Sequence, residues 1–121
     1  MTDDSEDPND DEQYHVELTD GDIEGPVLLP GDPDRVEIIA DCWDEYAERA
    51  AHREYRTLTG TYGDEPLSVT STGIGSPSAA IAVEELARIG AESFIRVGSC
   101  GAIQEDVAVG DLVITTAAVR Q

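Results

Sequence analysis

The stretch STGIGSPSAAIAVEELARIG, residues 71–90, decides the fold class of this chain. Its glycine-rich start is typical of a loop between a strand and a helix, and the rest predicts a helix over 76–89. Ser76 is the expected N-cap, Pro77 suits the first helical position and Gly90 suits the C-terminal end. The apolar positions form one broad stripe along this helix, made of Ala80, Ile81, Val83, Leu86, Ala87 and Ile89.

Strand and helix patterns alternate on both sides of this stretch. The predicted elements, in chain order, are a short strand at 26–30, a helix over 34–47 with Val36, Ile38, Ile39 and Trp43 inward, a strand at 53–62, a turn at 63–66, a strand at 67–70, and buried strands at 93–97 and 112–119. Such alternation predicts an α/β layered domain.

The charge of the chain is strongly acidic. The 121 residues include 27 Asp and Glu against seven basic residues, all of them Arg, for a net charge of −20. Such a surface repels nucleic acid and anionic membranes, so neither is an expected partner. Because molar salt screens this self-repulsion, an acidic surface without lysine is typical of a halophile protein. A merely acidic mesophile protein is the alternative.

The N-terminal segment MTDDSEDPNDDE is too polar to order itself, and it predicts a disordered acidic tail over residues 1–14. It lacks the features of a signal peptide, and no run approaches the roughly 18 apolar residues of a membrane span. The only cysteines, Cys42 and Cys100, suit a reducing interior. We therefore expect a cytoplasmic protein whose folded part spans residues 15–121.

Three segments indicate binding of a small oxyanion. The first is Gly31-Asp32-Pro33-Asp34-Arg35, where a strand meets a helix N-terminus whose N–H groups and dipole attract anions. Arg35 adds a planar donor fork suited to phosphate. The alternative is a plain turn, with Asp32 or Asp34 as the cap and Arg35 in solvent.

The second segment is the loop 71–78, whose N–H groups and hydroxyls can form an anion nest, or which is shaped only for close packing. The third is FIRVGSCG, residues 94–101, in which Arg96 lies within an apolar strand and needs an anionic partner. That partner is either Glu84 or Glu85, or a phosphate held near Gly98 and Ser99.

Weaker candidates are His15, an isolated histidine after the acidic tail, and Arg53, an isolated arginine at the start of the predicted hairpin. Cys100 has no histidine near it in sequence, and we expect it to be a small packing residue. No His/Cys spacing typical of a metal site occurs.

In combination, these segments resemble the nucleoside phosphorylase family that contains uridine phosphorylase and the hexameric purine nucleoside phosphorylases. The matching stretches are HVELT (15–19), LLPGDPDRV (28–36), AHREY (51–55), STGIGSPSAAIAVEELARIG (71–90), FIRVGSCGAIQ (94–104) and VGDLVITTAAVR (109–120). The resemblance implies the N-terminal half of a three-layer α/β/α nucleoside phosphorylase fold.

The resemblance also implies roles for individual residues. Gly31, Arg35, Arg96 and Ser99 would bind phosphate in their own subunit, with Gly98 beside the substrate. Arg53 would reach the phosphate of a neighbouring subunit, and His15 the ribose 5′ hydroxyl there, within a dimer-based hexamer. Ser99 stands where Thr is usual in uridine phosphorylases, and Ser76 stands where Gly is common.

The implied reaction is phosphorolysis of uridine or a related nucleoside to free base and ribose 1-phosphate, in nucleoside salvage. It needs inorganic phosphate as co-substrate and no metal or organic cofactor. In this family the Gln and Arg that read uracil and the Met–Glu pair that holds the ribose hydroxyls lie in the second half. We therefore expect a missing C-terminal part after Gln121, and an isolated chain of doubtful activity.

Three alternatives stay open at this point. A purine nucleoside phosphorylase of the same fold fits the segment around Arg96 equally well. A nucleosidase would use water in place of phosphate, and an arginine cluster argues against it. An inactive truncated fragment, or a phosphate-binding or partner-binding remnant, is the alternative from another class.

Overall fold

A computed structural model describes residues 11–120 of the chain. The elements are β1 (Val27–Leu29), α1 (Pro33–Ala40), β2 (Glu45–His52), β3 (Tyr55–Tyr62), β4 (Glu65–Thr70), α2 (Ser76–Arg88) and β5 (Phe94–Arg96). Most of the predicted acidic tail, residues 1–10, lies outside the described residues. Within residues 11–120, no helix is long and apolar enough to span a bilayer.

The strands form one mixed sheet in the order β2-β3-β4-β1-β5. Strands β2, β3 and β4 form an antiparallel meander, whereas β1 runs parallel to both β4 and β5. The carboxyl ends of β1, β4 and β5 therefore meet at one edge of the sheet, and the segments after them are brought together there.

The two helices cover opposite faces of the sheet. Val27 and Leu29 belong to the cluster that includes α2 residues Ala82 and Leu86. Leu28, which points the other way because side chains alternate along a strand, packs with the cluster around Val36 of α1. Helix, sheet and helix thus make three layers, and the predicted α/β fold class is confirmed.

Helix α1 is shorter than the prediction of 34–47. Asp32 caps its N-terminus by accepting a hydrogen bond from the Asp34 backbone at 2.9 Å, and the helix ends at Ala40. Within it, Ile38 is 65% exposed, so its predicted inward orientation is also wrong.

Residues 45–52, partly assigned to that helix, form strand β2 instead. Their sequence, EYAERAAH, is rich in good helix formers. However, seven residue pairs join β2 to β3, and this pairing outweighs the local preference. The hairpin that follows is close to prediction, with β3 beginning at Tyr55 and β4 at Glu65.

Helix α2 matches its predicted range to within one residue at its end. Its N-cap is Gly75 rather than Ser76, and no side chain caps it. Gly75 has a φ of 94°, a backbone conformation that L side chains rarely adopt. The inward face includes Ala82, Glu85 and Leu86, while Ala80 and Ala87 of the predicted stripe are exposed.

The C-terminal segment differs most from the sequence prediction. Strand β5 is an edge strand in which Ile95 is 52% exposed, so it is not the buried strand expected at 93–97. Residues 112–119 form no strand, and Leu112 and Val119 are 94% and 89% exposed. A strand requires backbone partners, and none pairs with this segment within residues 11–120.

Candidate functional site

Two glycine-bearing loops run side by side where β1 and β4 end. The Thr72 backbone donates a hydrogen bond to the Pro30 carbonyl at 2.9 Å, and the Gly73 backbone donates to the Gly31 carbonyl at 2.8 Å. These bonds extend the β1–β4 pairing past the strands themselves. The first loop leads into α1 and the second into α2, so both helices begin at the same edge of the sheet.

Arg96, at the end of β5, places its guanidinium at this edge. Its Nη1 atom donates to the Leu29 carbonyl at 3.0 Å and to the Val97 carbonyl at 2.5 Å. A Cβ atom on Gly31 would lie 3.4 Å from Nη2, and one on Gly98 would lie 3.1 Å from Nη1. Glycine at position 98 leaves the guanidinium the room it occupies, whereas a side chain at position 31 would first meet the Gly73 carbonyl oxygen, at 3.2 Å.

The expectation that Arg96 is buried is wrong, because its side chain is exposed at the edge strand. The suggested partners are wrong too. Glu84 lies 3.7 Å from Arg88, and Glu85 binds His15. Among residues 11–120, no carboxylate lies within ion-pair distance of Arg96.

Arg35 and Ser99 also meet at this edge. The Nη1 atom of Arg35 donates to the Ser99 hydroxyl at 3.2 Å, although 64 positions separate the two residues in sequence. Ser99 directly follows Gly98 in the chain, and Gly98 and Gly31 both lie against the Arg96 guanidinium. The structure thus brings Gly31 and Gly98 to Arg96 and brings Arg35 to Ser99, and the Gly98–Ser99 backbone joins the two groups.

An open cavity of about 720 Å³ lies between the two loops. It is lined by Gly31, Asp32, Pro33, Glu54, Gly73, Ile74, Gly75 and Arg96. The N-terminus of α2, which no side chain caps, begins at this wall and contributes the positive end of its dipole. The arrangement can hold a compact anion beside a guanidinium and free helix N–H groups.

Two carboxylates in the wall were not among the predicted site residues. Asp32 is already engaged as the cap of α1. Glu54 packs its side chain against Gly73, where an added Cβ would lie 2.7 Å from the Glu54 Cγ atom. In the sequence, the feature that could indicate Glu54 as a residue of the site is its position directly after Arg53 in the motif AHREY.

Of the predicted site residues, Gly31 and Arg96 line this cavity, whereas the others do not: His15, Arg35, Arg53, Gly98 and Ser99. Arg53 is exposed in the turn between β2 and β3, with a φ of 56°. His15 lies against α2, where its Nδ1 atom is 2.6 Å from Glu85 Oε2. That both serve a neighbouring subunit stays a prediction.

Glu85 is a further functional candidate, which the sequence indicated only as a possible partner of Arg96. It is 5% exposed, and it accepts hydrogen bonds from the backbone of His15 and Val16 at 3.0 Å each. Burial raises the pKa of its carboxyl, but the bonds from the His15 ring and the two backbone groups lower it, and the net shift is downward. In the sequence, the feature that indicates such a buried carboxylate is an acidic residue among the apolar positions Ala82, Leu86 and Ile89 of one helix face.

Cys100, expected to pack inside the protein, is exposed, as is Cys42. Both lie outside the cavity lining. Within residues 11–120, no three His, Cys, Asp or Glu side chains come together as metal ligands would.

Fold and site together define a class: an α/β protein in which two strand-to-helix loops and two arginines meet at one edge of the sheet. Comparison with known proteins gives the family. The sequence pattern of the Phosphorylase superfamily matches residues 27–121, and the chain belongs to this superfamily.

Individual relatives agree with this assignment. The chain is 63% identical over 108 residues to a uridine phosphorylase of Thermococcus kodakarensis, covering 89% of the chain and 39% of that protein. It is 48% identical over 109 residues to a guanosine phosphorylase of Halorubrum lacusprofundi, covering 90% of the chain and 45% of the relative.

Among solved structures, a uridine phosphorylase from Vibrio fischeri superposes with a TM-score of 0.79 at 41% identity, covering 83% of the chain and 42% of that protein. The chain thus spans about two fifths of the length of the relatives it matches. The N-terminal half of a nucleoside phosphorylase fold, which the sequence predicted, is confirmed.

Proposed function

We propose that this chain supplies the phosphate-binding half of a nucleoside phosphorylase site. The reaction is phosphorolysis, in which a phosphate oxygen bonds to the anomeric carbon of the ribose as the bond to the base breaks. The products are the free base and ribose 1-phosphate. Uridine is the proposed nucleoside, because uridine phosphorylases recur among the relatives.

The observation that supports the proposal most is the convergence around Arg96. Its guanidinium lies against Gly31 and Gly98, and Arg35 is bonded to Ser99, the residue that follows Gly98 in the chain. Arginines stay charged throughout the working pH range, so they can hold a phosphate dianion without deprotonating. Holding the phosphate under the sugar is a positioning task, and its charge stabilises the cationic transition state.

No metal or organic cofactor has a part in this proposal, since inorganic phosphate is itself the co-substrate. We propose further that the working assembly is a dimer-based hexamer in the cytoplasm. In it, a neighbouring subunit would contribute Arg53 to the phosphate and His15 to the ribose 5′ hydroxyl. The exposed position of Arg53 in its turn is compatible with such a role.

A purine nucleoside is the second candidate substrate. The guanosine phosphorylase relative, at 48% identity, favours it. A nucleosidase of the same fold is a weaker alternative, because attack by water does not require guanidinium groups at 35 and 96. Phosphate binding therefore discriminates the phosphorylase proposals from the nucleosidase.

The experiment is calorimetric titration of the chain with inorganic phosphate in concentrated KCl. We expect Arg96→Ala to lose on the order of 1.5–3 kcal/mol of binding free energy, the value typical of a charge-assisted contact. Arg49→Ala is the matched control, because Arg49 is exposed on β2 and lies outside the cavity wall. Equal affinity of wild type and Arg96→Ala would remove the assignment.

A further inference from the structure

Glu85 and His15 form a hydrogen bond in which the two functional groups determine which residue carries the proton. The His15 Nδ1 atom and the Glu85 Oε2 atom lie 2.6 Å apart, a short distance typical of a charge-assisted hydrogen bond. An ionised carboxylate can only accept hydrogen bonds. The downward shift of the Glu85 pKa keeps this carboxyl ionised at neutral pH. The proton of the contact therefore belongs to Nδ1.

The same carboxylate also fixes the backbone that carries His15. Glu85 Oε1 accepts from the backbone N–H of His15 and of Val16, at 3.0 Å each. The His15 carbonyl oxygen in turn lies 2.8 Å from Nδ1 of His52. Tyr14 and Tyr55 meet the imidazole edge to face, with centroid distances of 4.8 and 6.4 Å. The ring is held from several sides, yet its side chain remains 31% exposed.

We propose that Glu85 is a positioning residue that holds the proton of His15 on Nδ1, so that in the neutral form of the ring the Nε2 lone pair accepts a hydrogen bond from a ligand hydroxyl. In a neutral imidazole one nitrogen donates and the other accepts, and the partner of one nitrogen decides the role of the second. An acceptor at Nε2 selects a ligand with an O–H group. It disfavours a ligand that presents only acceptor atoms at that point.

The ligand part of this inference rests on the proposed function, in which His15 faces the 5′ hydroxyl of a ribose bound by a neighbouring subunit. There, an Nε2 acceptor would favour an unmodified 5′ hydroxyl over a 5′-deoxy sugar, which has no donor, and over a neutral or anionic 5′ substituent that only accepts. Such specificity arises because the wrong ligand leaves the Nε2 acceptor of His15 without a hydrogen-bond donor, which is unfavourable.

The tautomer itself is measurable without any ligand. The chain is labelled with ¹⁵N-histidine, and long-range ¹H–¹⁵N correlation spectra are recorded at alkaline pH, where imidazole side chains are neutral. The two nitrogens of each ring then report which one carries the proton. The chain has two histidines, and the spectrum of His15→Gln identifies the one at position 15.

The expected result for wild type is a protonated Nδ1 and an unprotonated Nε2 in His15. Glu85→Gln should shift His15 toward the Nε2–H form or a mixture, because the neutral amide is a weaker acceptor. Glu84→Gln is the matched control at the preceding position of the helix, where the side chain is 73% exposed and paired with Arg88. It should leave the spectrum of His15 unchanged.

A protonated Nε2 in wild-type His15 would overturn the inference, even if Glu85→Gln failed to fold. So would an unchanged His15 spectrum in a folded Glu85→Gln variant. Neither result bears on phosphate binding, which is tested at Arg96. Failure of the proposed function and failure of this inference are therefore separate outcomes.

Discussion

Glu85 illustrates how a buried charge is stabilised in this chain. A carboxylate without partners in an apolar environment is strongly unfavourable, because it loses its hydration. Here the side chain lies among apolar residues of α2 and the N-terminal segment, and three donors from His15 and Val16 replace the lost water. The same bonds tie residues 15 and 16 to a helix that begins 60 positions later in sequence.

Acid should weaken this connection. The pKa of Glu85 is lower in the folded chain than the ordinary value of 4.5, so the carboxylate stabilises the fold fully above that value. That stability is lost as the pH falls through the folded pKa. We expect the free energy of unfolding to decline below about pH 4.5 in wild type, and to decline less steeply in Glu85→Gln.

The measurement is chemical denaturation at constant salt between neutral pH and pH 3, followed by circular dichroism. Glu84→Gln serves as the control, since Glu84 is exposed and its pair with Arg88 contributes little. Parallel declines in wild type and Glu85→Gln would show that other carboxylates govern the acid transition.

At the scale of elements, local signals decide which predictions succeed. Helix α2 was predicted closely because its glycine loop, its proline and its apolar stripe all lie within one continuous stretch. The short strand β1, bounded by prolines, was predicted for the same reason. The converging loops of the site follow from these two elements and from the parallel pairing of β1 with β4.

The sequence predictions fail where the structure of a segment depends on its pairing with a segment that is distant in sequence. Strand β2 carries helix-forming residues and is recognisable only through its partner β3. Residues 112–119 have an apolar strand pattern, yet no partner strand is present for them within residues 11–120. The Arg35–Ser99 bond and the Glu85–His15 contact join residues at least 64 positions apart, a separation that no local pattern encodes.

At the scale of the whole molecule, charge dominates. With a net charge of −20 and no lysine, the folded chain repels itself at low ionic strength. In about 1 M salt the Debye length falls to roughly 3 Å, and most of this repulsion is screened. We therefore expect the folded fraction to rise steeply with KCl concentration.

Circular dichroism and denaturation across a KCl series measure this effect. A charge-reduced variant, carrying Glu92→Gln, Glu105→Gln and Asp106→Asn at exposed positions, should need less KCl to reach the same folded fraction. A glycerol series at low salt separates charge screening from general solvent effects. Complete folding in low-salt buffer, with no gain at molar KCl, would contradict the halophile hypothesis.

The set of substrate-binding residues within the whole chain determines which activity we expect of it. The residues proposed to hold phosphate lie at one edge of the sheet, around Arg96. The residues that the resemblance implies for the base and the ribose hydroxyls are not among these 121 residues. Contacts remote from the reacting atoms supply binding energy that is used to reach the transition state. Without them, a nucleoside is neither oriented nor retained beside the phosphate.

We therefore expect the purified 121-residue chain to release no free base from uridine or inosine, even with saturating phosphate in concentrated KCl. Its exposed apolar side chains, with Ile103 at 99% and Leu112 at 94%, should instead promote association, because such surface is unfavourable in water. The assay follows free base by chromatography, with size-exclusion chromatography of the same sample and Arg35→Ala as the control variant. Sustained release of uracil by the wild-type chain, abolished in Arg35→Ala, would contradict this expectation and show that the 121 residues suffice for turnover. A contaminating phosphorylase would not respond to the substitution, so the variant separates the two sources of activity.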